Sequence, residues 1–287
     1  MQEEKEKGGS QLKKNKLVSA IIYILAFLVV AFSVLPFLWT VSTSLKTGVE
    51  VYSAHPTFLP HPVTLENYIA VFKDANMMKS FANTVKIAAI STIISTVVSV
   101  LSAYGFSRYR FPGNKTLLTS ILLTRLLPRV TLLVPFYVTL SRLKLVNTYT
   151  GLTLLYLVVG IPTTIWLMKG FIDGLPYEVE EAAVVDGCNP LQVLTKVVVP
   201  MVKPAIATVA MFSFILSWNE FLFPLLMAKD RSIRPIAVSL AFYIDESGIR
   251  WGPLMAASVI MSVPAIIFFS VAQKHLVAGL SEGAVKG

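Results

Sequence analysis

The chain has 287 residues, 55% of them hydrophobic and only 14% charged, whereas a soluble domain carries about 25% charged residues. Its net charge of +9 is scattered through loops with no basic, aromatic-laced face. That excludes a nucleic-acid-binding protein and fits basic loops attracted to anionic headgroups. A single cysteine, Cys188, excludes an intramolecular disulfide and a multi-cysteine zinc site, and His55, His61 and His275 lack metal-ligand spacing.

Residues 1–16 are a charged tail in which Lys5, Lys7, Lys13, Lys14 and Lys16 face Glu3, Glu4 and Glu6. Residues 17–45 then run without a charge. This is too long for the apolar core of a signal peptide and reads as a retained span. The following loop, about 42–80, is rich in proline and aromatic residues, and 64–73 is expected to form a short amphipathic helix on the outer face.

Five further apolar runs complete the pattern. The six spans are expected at about 17–45, 83–107, 117–141, 147–169, 203–228 and 252–275, within a membrane domain of 17–277. The third holds Arg125 and Arg129, and the fifth holds Glu220. Six spans place both termini on one side. The lysine-rich start and the short loop with Arg108, Arg110 and Lys115 put that side in the cytoplasm. The architecture predicted is an all-α polytopic membrane protein.

Between the fourth and fifth spans, 173–200 forms a long inner segment with its own helical signals. Pro176 suits a first helical turn, and Glu178, Glu180 and Glu181 favour its positive end. Ala182 and Ala183 offer a small face for close approach, and Gly187 ends or bends the helix. Asn189-Pro190 reads as the cap and first residue of a second helix, with Pro200 and Pro204 marking return to the membrane. On pattern alone the segment also fits an ordinary interfacial helix.

The order Glu181-Ala182-Ala183, Asp186-Gly187, then Val197 and Val199-Pro200 resembles the EAA loop of importer-type ABC permeases. The chain as a whole resembles their sugar-importer, maltose-permease branch. Trp218-Asn219-Glu220-Phe221, Asn67-Tyr68 and the ending 279–287 match the same branch. Cys188 replaces the usual small alanine, and valine takes the usual isoleucine and leucine positions. The resemblance implies six spans with a cytoplasmic coupling helix, in the cytoplasmic membrane of a prokaryote. It implies that Glu181, Ala182, Ala183, Asp186 and Gly187 dock an ATPase subunit, and that the tail 278–287, through Gly283, Val285, Lys286 and Gly287, touches the ATPase interface. The partners implied are a second, homologous permease subunit, two cytoplasmic ATPase subunits, an extracytoplasmic sugar-binding protein and membrane lipid. The chain lacks a GxxxxGK[ST] phosphate loop. By the resemblance it holds no cofactor itself, is not an enzyme, and leaves ATP and magnesium to the partner ATPases.

Charges within spans usually face a cavity or a partner. Arg125 and Arg129, four residues apart, are expected on one helical face and are candidates for the substrate path, the alternative being that both snorkel or pair with Glu220 as structural glue. Trp218, Asn219 and Glu220 offer an aromatic platform with polar neighbours for a sugar ring. Two other classes compete. An ion-coupled secondary transporter would use Arg125, Arg129 and Glu220 as a relay and show inverted repeats, of which none is clear. A membrane-embedded enzyme would need convergent catalytic groups in the bilayer, which the sequence does not offer.

Overall fold

The structure is a computed structural model that describes the backbone of residues 2–245 and 248–284 and the side chains of 18–244 and 248–271. Helices α1 (Gln2–Ser44), the single-turn α2 (Gly48–Val51) and α3 (Glu66–Lys73) precede the long α4 (Ala75–Arg108). Next, α5 (Asn114–Leu123) leads through the 3-10 turn Thr124–Leu126 into α6 (Arg129–Arg142), followed by α7 (Tyr149–Asp173). Four short pieces come next: α8 (Tyr177–Val185), α9 (Pro190–Gln192), the π-helical Val193–Val198 and α10 (Val199–Met201). Then follow α11 (Lys203–Trp218), α12 (Leu222–Met227), α13 (Ile236–Leu240) and the antiparallel pair β1 (Ile244–Asp245) and β2 (Gly248–Ile249). Last comes α14 (Trp251–Ala284).

Among the described residues, four helical stretches are long and apolar enough to cross a membrane: Val18–Ser44, Ala75–Arg108, Tyr149–Asp173 and Trp251–Val271. Two bent pairs raise the number to six when each is one span: Asn114–Leu126 with Arg129–Arg142, bent by 105°, and Pro190–Met201 with Lys203–Trp218, bent by 82°. The bend in the third run has a local cause. Pro128 disfavours a helical residue before it, and Leu127 accordingly takes an extended ψ of 129°. The helix must stop and restart. Likewise α11 ends at Trp218 after 16 residues, which at 1.5 Å per residue spans only about 24 Å. Glu220 therefore lies at the junction of α11 and α12, not inside a continuous helix as the apolar run suggested.

Residues 1–71 with 250–259 form one compact unit, and 72–249 with 260–287 form a second. In the first unit, α1 exposes large apolar side chains from Val18 to Trp39, including Phe27 and Phe32, a surface suited to lipid or a partner rather than water. Its C-terminal end is fixed by the loop. Asn67 Nδ2 donates to the carbonyls of Ser44 (3.0 Å) and Lys46 (2.8 Å), and the Tyr68 hydroxyl meets Ser44 Oγ at 2.7 Å. Asn67-Tyr68 is thus a helix-end clamp that satisfies carbonyls left over at the terminus. Gly252 sits so close that any Cβ there would overlap the Asn67 amide.

The second unit is built on α4, α7 and α11. α4 is capped by Asp74, which accepts from the N–H groups of Asn76 and Met77, and α7 by Thr148, which accepts from Gly151. α4 and α7 run parallel and meet along small and hydroxyl residues. Ser99 donates to Thr164 Oγ1 at 2.6 Å, and Ser95 lies 3.1 Å from the same oxygen. Small residues of this kind let helix backbones approach closely in lipid. Two apolar clusters lie along this frame. One joins Val100, Ala103 and Tyr104 to Met168, Ile172, Ala183, Leu194 and Val209, and the other joins Ile87 to Leu152, Tyr156, Phe223 and Met227.

Candidate functional site

The segment after α7 folds by local rules. Pro176, in extended conformation, precedes α8, and Glu178 and Glu180 fall in its first turn. At the other end Gly187 has φ +85°, the left-handed region. Its N–H reaches the carbonyl of Val184 (3.0 Å), and the N–H of Cys188 reaches that of Ala183 (2.9 Å). These paired bonds satisfy the last carbonyls of α8 and require a residue that tolerates positive φ. Asn189 then accepts from Gln192 N–H while the Gln192 side chain accepts from Asn189 N–H, both at 2.9 Å, forming a capping box with Pro190 at the first helical position.

In α8 only Glu180 and Ala183 are buried, and every other residue is exposed. Glu181, Ala182, Val184, Val185, Asp186 and Gly187 are exposed, Val185 at 86%, and Leu191 beyond the turn is exposed as well. Ala183 does not join them. It is 8% exposed and packs in the chain's own core with Met168, Ile172, Val193 and Leu194. The expected small outer face of two alanines is therefore one alanine, Ala182. Ala183 shares a side with Glu180, three residues earlier, and that side is turned inward.

Glu180 lies in the first turn of α8, as expected, and also makes a buried ion pair that its position in the sequence does not reveal. Its partner is Arg108, which the sequence places at the end of an apolar run. In the fold, Arg108 Nε donates to Glu180 Oε1 at 2.7 Å, with side chains only 5% and 10% exposed. The other carboxylate oxygen accepts from the Tyr104 hydroxyl at 3.2 Å. Arg108 also donates through Nη2 to the Leu175 carbonyl (3.2 Å) and through Nη1 to Ser107 Oγ (3.0 Å), and it lies 4.2 Å from the centre of the Tyr177 ring. Ser107 in turn donates to Asp173 Oδ1 at 2.6 Å, and Lys169 pairs with Asp173 Oδ2 at the same distance. The only sequence signal was an arginine at the very end of one apolar run and a spare glutamate beside the EAA triplet.

The membrane-embedded charges arrange differently from the expectation. Because the helix breaks at Leu127-Pro128, Arg125 and Arg129 are not on one helical face. Arg129, at the start of α6, donates from Nη1 to Glu220 Oε2 at 3.2 Å. Glu220 Oε1 accepts from the N–H groups of Leu222 (3.1 Å) and Phe223 (3.3 Å) at the start of α12. Arg125 is exposed on the 3-10 turn, and Asn219 is exposed with its amide donating to the Ile215 carbonyl at 3.0 Å. Trp218 is no open platform. It is 1% exposed, stacked on Phe214 with centroids 5.2 Å apart and edge-on to Phe81 at 6.0 Å, and its indole N–H donates to the Met261 carbonyl at 3.1 Å. The tail residues Gly283, Val285, Lys286 and Gly287 lie outside the residues whose side chains are described.

The described fold is helical throughout its long elements, with apolar stretches long enough to cross a membrane and a short helix, α8, packed against α4 and α7, which is the architecture of a polytopic membrane protein. The chain belongs to the family of binding-protein-dependent transport system inner membrane components, matched over residues 95–282, and is thus an integral inner-membrane ABC permease. It is 33% identical over 265 residues to the sulfoquinovosyl glycerol transport system permease protein SmoH of Agrobacterium fabrum, covering 92% of this chain and 93% of that protein. It is 32% identical over 284 residues to the trehalose/maltose transport system permease protein MalG of Thermococcus litoralis, covering 96% of this chain and 100% of the relative. In fold it is similar to a chain of a bacterial ABC transporter that imports alginate. The TM-score is 0.78 at 24% identity, over 91% of this chain and 97% of that one.

Proposed function

We propose that this chain is a permease subunit of an ATP-driven importer of sugars or oligosaccharides. It forms half of the translocation pore with a second, homologous permease. α8 docks one of two cytoplasmic ATPase subunits through Glu181, Ala182, Val185, Asp186 and Gly187, with the C-terminal tail as a further contact. ATP and magnesium bind those partners, and an extracytoplasmic binding protein delivers the cargo. Both termini lie in the cytoplasm. Closure of the ATPase pair shifts α8 and thereby switches the pore between its two openings.

The observation that carries the reading is the division of α8 into a buried, ion-paired inner face and an exposed outer face with an 86% exposed valine. An outer face of this kind is what a docking partner would cover. The sugar assignment is supported by the cargo for which relatives at 33% and 32% identity are named.

The test is purification of the chain with its co-expressed partners in mild detergent, followed by vesicle uptake of trehalose, maltose and sulfoquinovosyl glycerol. Retention of an ATPase subunit and ATP-dependent uptake of a sugar are expected. Uptake driven by an ion gradient, by this chain without ATPase subunits, would overturn the proposal in favour of a secondary carrier.

A further inference from the structure

The contacts that hold α8 in place are of two kinds, and they do different things. Ala183, with Val193 and Leu194, sits in an apolar cluster against α4 and α7. Such contacts are non-directional, so on their own they allow a nine-residue helix to slide or roll. The Arg108–Glu180 pair is directional. Its charged hydrogen bonds leave the guanidinium at fixed angles, one to α8, one to the Leu175 carbonyl ahead of α8, and one through Ser107 towards Asp173 at the end of α7. Tyr104 clamps the second carboxylate oxygen from one turn back on α4.

We propose that the buried Arg108–Glu180 pair is a positioning joint that makes α8 and the end of α4 move as one body, passing to the spans the displacement imposed on α8. The proposal rests on the reading of α8 as the ATPase-docking helix. Its reason is chemical. A buried ion pair contributes little net stability relative to apolar residues of the same size, and its distinctive effect is fixed geometry. An arginine suits this place because its rigid planar guanidinium presents Nε, Nη1 and Nη2 donors at fixed angles, whereas a lysine ammonium is a compact charge with rotatable donors on a flexible stem. The sequence distance between the partners, 72 residues, means that the pair joins α8 to a span two helical runs away rather than to its own neighbour.

The experiment uses the assembled transporter in lipid nanodiscs, with Cys188→Ala to remove the native thiol and spin labels on cysteines replacing Arg110 and Val179. Inter-label distances are measured without nucleotide and after trapping with ATP, magnesium and vanadate. A narrow distribution that does not move between the two states is expected. Arg108→Gln and Glu180→Gln are each expected to broaden it while the ATPase subunits stay bound. Vanadate-induced closure of the pore in those variants should weaken by about tenfold, the size of one typical coupling interaction. Restoration of the narrow distribution by the exchange Arg108→Glu with Glu180→Arg would tie the effect to the pair itself. A parent distribution that shifts on trapping, or variants that leave it narrow with closure intact, would overturn the joint. A parent preparation that retains no ATPase would instead overturn the docking reading, and the joint with it.

Discussion

Arg129 and Glu220 meet at 3.2 Å where two helices are interrupted, the one before α6 and the one between α11 and α12. The two partners are unequal. Glu220 is buried and also accepts the first N–H groups of α12, whereas the Arg129 side chain is about half exposed. Glu220→Ala is therefore expected to destabilise the protein by about 1–3 kcal/mol, since the part-buried N–H of Leu222 and the buried N–H of Phe223 lose their acceptor. Arg129→Ala is expected to cost less than Glu220→Ala, because the partner it removes is about half exposed and the Glu220 carboxylate keeps its two backbone N–H donors. Thermal unfolding of the purified variants in detergent checks the order, and an equal loss from both would contradict it.

Gly187 offers a sharper local test. Its φ of +85° lies where a side chain strains the backbone, although no atom approaches a Cβ built there. The cost of substitution is thus conformational rather than steric. Gly187→Val is expected to destabilise by about 1–2 kcal/mol, and Gly187→Asn by clearly less, because asparagine visits the left-handed region more readily. Melting temperatures of the two variants should fall in that order, and loss of ATPase retention should follow the same ranking.

The two faces of α8 separate docking from folding. Val185→Glu places a charge on an 86% exposed position and should leave the melting temperature unchanged while releasing the ATPase subunit from the purified complex. Ala183→Leu, on the buried face, should lower stability by about 1–3 kcal/mol through overpacking. If Val185→Glu retains the ATPase in full, the outer face is not the docking surface.

These contrasts mark what the residues disclosed in advance. Gly187, the Asn189-Pro190 cap and the helix after Pro176 were legible because caps and left-handed turns depend on a few consecutive residues. The inward turn of Ala183 was not, because the side of a short helix that is buried depends on α4 and α7, distant in sequence. Arg108 and Glu180 carry the same lesson across 72 residues. Pro128 changes how spacing along the third apolar run is read. A proline that forces an extended residue before it resets the helix phase, so spacing counted through it no longer reports a shared face.

Trp218 is where a composition argument and a fold argument part. A tryptophan beside asparagine and glutamate in a span is the chemistry of a sugar platform, but its ring is enclosed by Phe214 and Phe81 and its N–H is spent on the Met261 carbonyl. A buried indole of this kind holds helices together. Trp218→Ala is expected to destabilise by about 3–5 kcal/mol, and Trp218→Phe by about 1 kcal/mol for the lost hydrogen bond. The discriminating measurement is uptake by Trp218→Phe complexes that remain folded. A packing role leaves the apparent affinity for cargo unchanged and alters only thermal stability. A rise in the half-saturating concentration with no change in melting temperature would return Trp218 to the substrate path, and would require the α11–α12 junction to open during transport.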